Sequence, residues 1–259
     1  MSISIIHHDH PRVRVPEFSV DGKIHPKLDD FELSSLLNRS HCLCAVGRAG
    51  SGKTSIMVSF LNSRHLFQKV FHHVWVIMPP TSRASLKNDP FKGLPPGQLI
   101  DDLTLASLTS VWESIQAASK EKETSLLILD DVQSRLKETA IEKLLIHMNS
   151  NRRHQRLSLW ICAQNYVKIP KQFRVGITNL FLFSVSRVDM QQIHEELLEI
   201  SEPMWERACA LFKRDKEKPG HEKQFLFIDT RDQRFFMGWD ELRMPRDDGL
   251  ELTESDVDA

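Results

Sequence analysis

The sequence predicts an α/β fold in which helices flank a mostly parallel β-sheet, and three observations support this prediction. Short apolar runs alternate with amphipathic segments from residue 40 onwards. Most of the runs are apolar at consecutive positions, which is typical of parallel strands buried on both faces. A glycine-rich turn joins the first run to a segment with helical periodicity, as expected of a β–α unit.

The pattern predicts five core strands, numbered 1 to 5 in chain order: CLCAV (42–46), VFHHVWVIMP (70–79), SLLILDD (125–131), LSLWICAQ (157–164) and TNLFLFSVS (178–186). Helices are predicted directly after the glycine-rich turn, in residues 103–120 and 138–149, and twice after strand 5. Residues 223–239 alternate in polarity on both sides of Thr230–Asp232, which predicts a C-terminal β-hairpin.

The chain is long enough for one large domain, and its length alone would also permit two smaller ones. The 259 residues carry a net charge of −1, so any nucleic-acid surface must be local. We expect a lead-in at 1–39, a domain at 40–240 and an acidic, disordered tail at 241–259, since 247–259 hold six acids and no base. The sequence contains no run of about 18 apolar residues, so it predicts no membrane span. The N-terminus lacks a basic start followed by a long apolar core, so no secretory signal is predicted.

The cysteines and the N-terminal histidines form no disulfide or metal-binding motif in the sequence. The four cysteines show no C-x-x-C spacing, which favours reduced core thiols; they are Cys42, Cys44, Cys162 and Cys209. A histidine-rich stretch, HHDH at His7–His10, is interpreted as part of a mobile terminus, because no second ligand cluster has suitable spacing.

The glycine-rich turn fits the spacing G-x-x-x-x-G-K-[ST], which predicts a loop that binds nucleotide phosphates. Its backbone N–H groups and the following helix N-terminus attract an anion, Lys53 adds a positive charge, and Thr54 offers a hydroxyl to Mg²⁺. The predicted nucleotide-binding residues are Gly47, Arg48, Ala49, Gly50, Ser51, Gly52, Lys53 and Thr54. The expected ligands are therefore ATP and Mg²⁺.

Two adjacent acids, Asp130 and Asp131, end strand 3. The carboxyl ends of parallel strands present ligand groups in such sheets. We expect Asp130 to hold Mg²⁺ together with Thr54, and Asp131 to orient and deprotonate the attacking water. An acid at the second position favours hydrolysis over transfer to a hydroxyl group.

A third group of candidate site residues lies directly before strand 4 and at its end. The strand ends at Gln164, whose amide is predicted to contact the γ-phosphate. The stretch NRRHQR precedes it, and an arginine there is a candidate for reaching a neighbouring subunit's nucleotide. Arg153 is favoured for this catalytic role, with Arg152 as its competitor. After Gln164, the spacing of Lys168, Lys171 and Arg174 predicts a basic face that contacts DNA.

Several other nucleotide-binding classes lack parts of their motifs. The sequence contains no Asn-Lys-x-Asp for a GTPase, no L-S-G-G-Q-like signature, and no Gln-x-x-Gly-Arg-x-x-Arg of a two-domain helicase. A nucleotide or small-molecule kinase stays open as an alternative, although SRLKETAIEKLLIHM after strand 3 predicts an ordinary amphipathic helix in place of an arginine-rich lid.

The pieces GRAGSGKTS, LLILDDV, NRRHQRLSLWICAQNY and IPKQFRVGITNLFLFSVS together resemble the poxvirus-type genome-packaging ATPases of large double-stranded DNA viruses, within the FtsK–HerA class. The resemblance spans about residues 40–240 and includes the closing hairpin. It departs at Asp131, where the wider class has Glu. It implies a RecA/FtsK-like P-loop NTPase sheet of core order 5-1-4-3-2.

This resemblance also implies a function. A homo-oligomeric ring, a pentamer or hexamer, would hydrolyse ATP to translocate double-stranded DNA into a capsid, with capsid or portal-vertex proteins as partners. Such a protein would act in the host cell cytoplasm, at the viral factory, or in the virion. A HerA-like or DNA-transfer ATPase that acts on other DNA is the alternative within the class.

Overall fold

The computed structural model describes residues 4–6, 37, 40–63, 66–84, 86, 91–218, 220 and 224–243. Most of the predicted lead-in, including His7–His10, lies outside these residues, as does the tail from 244 onwards. Within them lie ten strands: β1 (Ser4–Ile6), β2 (Cys42–Gly47), β3 (His73–Ile77), β4 (Leu99–Ile100), β5 (Ser125–Asp130), β6 (Leu157–Ala163), β7 (Asn179–Ser184), β8 (Leu226–Asp229), β9 (Arg234–Met237) and β10 (Asp240–Arg243).

The described helices number seven: α1 (Lys53–Asn62), α2 (Pro80–Ala84), α3 (Leu105–Lys120), α4 (Thr139–Asn151), α5 (Lys171–Arg174), α6 (Arg187–Leu197) and α7 (Glu202–Lys216). A 3-10 turn spans Tyr166–Lys168. Helix α3 begins where Thr104 accepts a hydrogen bond from the Ser107 N–H, while the Ser107 hydroxyl caps the Thr104 N–H in return. This reciprocal cap satisfies two backbone donors and fixes the start of the helix.

All ten strands form one sheet, in the order β1-β10-β9-β8-β7-β2-β6-β5-β3-β4. The six strands from β7 to β4 are parallel, and β6 lies between the phosphate-loop strand β2 and the two-acid strand β5. The predicted core order 5-1-4-3-2 is thereby confirmed. The predicted hairpin is also present as β8 and β9, and β10 and β1 extend it with further antiparallel pairs.

The alternation of side chains along β2 divides the core into two layers. Cys42, Cys44 and Val46 point to one face, which α3, α4, α6 and α7 cover. Leu43 and Ala45 point to the other, where α1 packs in an aromatic layer with Phe60, Trp160, Phe181 and Trp239 among its members. The parallel strands β2, β5, β6 and β7 are thus buried on both faces along almost their whole length, as their apolar composition predicts. Among the described helices, none is long and apolar enough to cross a membrane.

Candidate active site

The glycine-rich loop connects the carboxyl end of β2 to the first turn of α1. Gly52 takes a φ of 107° directly before the helix, a conformation that costs glycine least. A side chain at Gly47 would meet the Ser51 Oγ at 2.7 Å and the Phe183 Cβ at 2.8 Å, so close packing against β7 excludes any larger residue. The loop geometry therefore depends on both glycines.

The loop also carries the polar side chains of Lys53 and Ser51. The Lys53 ammonium donates to the carbonyl oxygens of Gly47 at 2.8 Å and Arg48 at 2.9 Å, which places its charge over the loop. The Ser51 hydroxyl is buried close to Gly47 and has no hydrogen-bond partner among the described residues. The positive charge of Lys53 at this helix N-terminus fits an anionic ligand such as a phosphate.

Thr54 and Asp130 meet beneath the loop. The Thr54 hydroxyl donates to the Asp130 Oδ2 at 2.6 Å across the β2–β6–β5 part of the sheet. Burial raises the pKa of the Asp130 carboxyl group, while the Thr54 hydrogen bond and the Lys53 charge oppose this shift. A hydroxyl and a carboxylate at this separation are a donor set that suits Mg²⁺.

Asp131 follows β5 with a left-handed φ of 55°, and its side chain is exposed. The Ser82 hydroxyl donates to its Oδ2 at 2.6 Å, and the Gln164 amide lies 3.4 Å from its Oδ1. The Gln164 N–H donates to the Gln133 Oε1 at 2.9 Å, which fixes the end of β6 against the segment after β5. The phosphate loop, the two acids after β5 and Gln164 therefore lie together at the carboxyl edge of the sheet.

A cavity of about 140 Å³ joins these groups; it is lined by Ala49, Gly50, Lys53, Thr54, Ser82, Asp130, Asp131, Cys162 and Gln164. Sequence reasoning named all of these except Ser82 and Cys162, and it also missed the supporting Gln133. The polar stretch after β3 follows the same rule that identified Asp131 and Gln164, because β3 is parallel and its carboxyl end reaches the same edge. Ser82 could have been found by applying that rule to every strand.

The structure places the two candidate arginines differently. Arg152 is buried, and its guanidinium donates to the Ser40 carbonyl, the Asn149 carbonyl and the Asn149 side chain. Arg153 is exposed, and its guanidinium contacts no acceptor among the described residues. It lines a cavity of about 1030 Å³ at the amino edge of the strands, together with Lys122 and Arg156. The phosphate loop lies at the opposite edge.

The predicted basic face after Gln164 requires a correction. Lys168 and Lys171 are exposed, but Arg174 is buried and belongs to a different environment. Its guanidinium lies 3.1 Å from the Glu196 carboxylate and 4.7 Å from the centre of the Tyr166 ring. The Tyr166 hydroxyl donates to the other Glu196 oxygen at 3.1 Å. Arg174 therefore anchors the loop to α6, and the prediction that it contacts DNA is wrong.

This cluster gives a stability prediction. Arg174→Ala leaves the buried Glu196 carboxylate without its cation, and breaking such a pair costs about 3–5 kcal/mol of unfolding free energy. Chemical denaturation should show this loss, while Lys171→Ala on the same helix should change stability by less than about 0.5 kcal/mol. A loss below about 1 kcal/mol for Arg174→Ala would contradict the anchoring role.

Comparisons with known proteins agree with this fold. Residues 28–219 match the family model described as Poxvirus A32 protein. The genome packaging NTPase B204 from Sulfolobus turreted icosahedral virus 2, in complex with AMP, gives a TM-score of 0.54 at 18% identity over 78% of this chain and 98% of B204. Its complex with ATP-γS gives 0.54 at 16% identity, over 78% and 97% of the two chains.

A third structure, described as B204, the DNA-packaging ATPase from Sulfolobus turreted icosahedral virus, gives a TM-score of 0.54 at 16% identity over 81% and 99% of the two chains. At these identities the likeness shows a shared fold. No curated protein matches the sequence. The family match covers more than half of the chain and includes the phosphate loop, the two acids and Gln164. The chain is thus a P-loop NTPase that belongs to the Poxvirus A32 protein family.

Proposed function

We propose that this protein is an ATP-driven motor that translocates double-stranded DNA into a viral capsid. The observation that carries the proposal is the convergence of Lys53, the Thr54–Asp130 pair and the Asp131–Gln164 pair in one cavity. The cavity thus holds an ammonium group that can bind phosphates, two side-chain oxygens that can bind a metal ion, an exposed carboxylate and an amide. Phosphoryl transfer to water needs these parts and little covalent chemistry.

Each residue has a proposed task. The loop N–H groups and Lys53 hold the phosphates, while Thr54 and Asp130 hold Mg²⁺, which when bound neutralises charge on the phosphate oxygens. Asp131 orients the attacking water and accepts its proton, since its carboxylate is exposed to the cavity. The Gln164 amide, now 3.4 Å from Asp131, contacts the γ-phosphate and responds to its loss.

The location of Arg153 supports a ring. It projects from the amino edge of the strands, so a neighbour packed head-to-tail would bring its own phosphate loop towards this arginine. A homo-oligomeric ring, a pentamer or a hexamer, would therefore have composite sites. B204 is described as a genome packaging NTPase and as a DNA-packaging ATPase, which supports the same role here. The proposed partners are capsid or portal-vertex proteins. The proposed location is the host cytoplasm or the virion.

ATP hydrolysis by the purified protein, with and without double-stranded DNA, tests the proposal. We expect Mg²⁺-dependent turnover that rises severalfold when DNA is added. Hydrolysis that DNA leaves unchanged would contradict a DNA motor, and phosphate transfer to a nucleoside or small molecule would indicate the kinase alternative. Equal stimulation in the presence and absence of capsid proteins, with no DNA uptake, would favour a HerA-like or DNA-transfer ATPase.

Lys168 and Lys171 remain the proposed DNA contacts. Both are exposed on the segment that follows Gln164, so their positions can follow the state of the nucleotide. The double variant Lys168→Glu/Lys171→Glu should weaken DNA binding and reduce the slope of log K against log salt by about 0.9 for each lost phosphate contact. Lys143→Glu/Lys213→Glu makes the same change in net charge on exposed helix positions and serves as the control. Identical slopes for both variants would remove this segment from the DNA path.

A further inference from the structure

The Ser82 hydroxyl is the closest side-chain partner of the Asp131 carboxylate among the described residues. Its Oγ lies 2.6 Å from the Asp131 Oδ2, whereas the Gln164 amide nitrogen lies 3.4 Å from Oδ1. A hydroxyl–carboxylate hydrogen bond at 2.5–2.7 Å is charge-assisted and short, while an amide contact at 3.4 Å is long and weak. The orientation of the carboxylate is therefore set mainly by Ser82.

Ser82 itself is held by its surroundings. It lies in α2, which follows β3 after Met78 and Pro79. Strand β3 pairs in parallel with β5, the strand that leads to Asp131. The N–H groups of Ser82 and Arg83 both donate to the Pro79 carbonyl at 3.1 Å. The Arg83 guanidinium contacts the Asp101 carboxylate at 3.1 Å, which ties α2 to the segment after β4. The hydroxyl thus projects from a helical turn that an exposed ion pair connects to the segment after β4.

The carboxylate needs such a restraint. Rotation about the last bond of an aspartate side chain is soft, with broad, roughly two-fold minima. Asp131 is exposed, so packing alone does not fix its carboxylate. Its side chain is also one methylene shorter than that of glutamate. Because the carboxylate reaches less far, its orientation must be accurate for it to contact a water next to the γ-phosphate. A displacement of about 1 Å can cost about 100-fold in rate.

We propose that Ser82 is a positioning residue for Asp131 in the hydrolysis reaction, an inference that rests on the proposed ATPase function. Its hydroxyl holds Oδ2 and leaves Oδ1 directed towards Gln164 and the attacking water. When the Gln164 amide moves to the γ-phosphate, Ser82 keeps the carboxylate in place. Ser82 acts through Asp131 and does not contact the nucleotide.

Steady-state ATP hydrolysis and ATP-γS binding by the full-length protein test this role. Ser82→Ala should lower kcat by about 10- to 100-fold with KM and ATP-γS affinity within about two-fold of wild type. Ser82→Thr keeps the hydroxyl and should recover most of the rate. Thr81→Ala removes an exposed hydroxyl from the same short helix and should turn over like wild type.

A double-mutant cycle separates positioning from a structural role. In an Asp131→Asn background, Ser82→Ala should cost less than about two-fold further, because the carboxylate that Ser82 orients is already lost. Equal losses in both backgrounds, a raised KM with unchanged kcat, or full turnover of Ser82→Ala would each overturn the positioning role while Asp131→Asn still identifies the site. A wild-type protein that fails to hydrolyse ATP would overturn the proposed function, and the role of Ser82 with it.

Discussion

Lys53→Ala is expected to reduce ATP hydrolysis by at least about 100-fold, the usual loss when one preorganised electrostatic donor is removed. The Lys53 ammonium now lies between the carbonyl oxygens of Gly47 and Arg48, so its charge is already placed over the phosphate loop. Replacing it removes the charge that the β- and γ-phosphates would meet. We therefore expect weaker ATP binding as well as lost turnover, because this lysine contacts the ground state too.

Two further variants make this result specific. Lys143→Ala removes an exposed lysine from α4 and should leave hydrolysis unchanged. Asp131→Asn should retain nucleotide and metal binding but lose turnover, whereas Asp130→Asn should impair the dependence on Mg²⁺. Wild-type turnover in Lys53→Ala would contradict the assignment of the phosphate loop. Identical behaviour of the two aspartate variants would contradict the division of roles between them.

The core of the fold could be predicted because its signals are local. The apolar runs of β2, β5, β6 and β7 are buried along almost their whole length, and such runs allow few alternatives to a parallel sheet. The additional elements could not be predicted in the same way. Strand β4 has two residues, and β1 pairs with β10, a strand that lies far from it in the sequence. Short or long-range pairing leaves little pattern in the sequence.

The site shows the same division. The spacing of the phosphate loop and the position of Asp131 after an apolar run predict where those groups lie, because strand ends meet at one edge. The interval between basic residues in the sequence does not show which of their side chains are buried, as Arg174 illustrates. Its three-residue interval from Lys171 placed it correctly near the same turn, but its guanidinium turns inward because Glu196 on α6 supplies a buried partner. That partner is 22 residues away and could not be identified from the sequence.

Arg153→Ala is expected to reduce ATP turnover by about 10³- to 10⁵-fold, the contribution of known arginines that act on a neighbour's nucleotide. Nucleotide binding and assembly should remain, since the exposed guanidinium contacts no acceptor among the described residues of its own subunit. Arg156→Ala is the matched control: it lies in the same turn and is exposed, but its guanidinium donates to the Lys122 carbonyl at 3.0 Å. It should retain most of the activity.

Mixing Arg153→Ala with Lys53→Ala subunits distinguishes action on a neighbour from action within one subunit. Each variant alone lacks one half of every site. In a mixed ring, an Arg153→Ala subunit offers an intact phosphate loop, and a Lys53→Ala neighbour offers an intact arginine, so some composite sites become complete. Activity should therefore reappear and pass through a maximum as the ratio is varied. Because the arginine and the phosphate loop lie at opposite edges of the same sheet, a mixture that assembles and stays inactive would mean that Arg153 supports only its own subunit's fold.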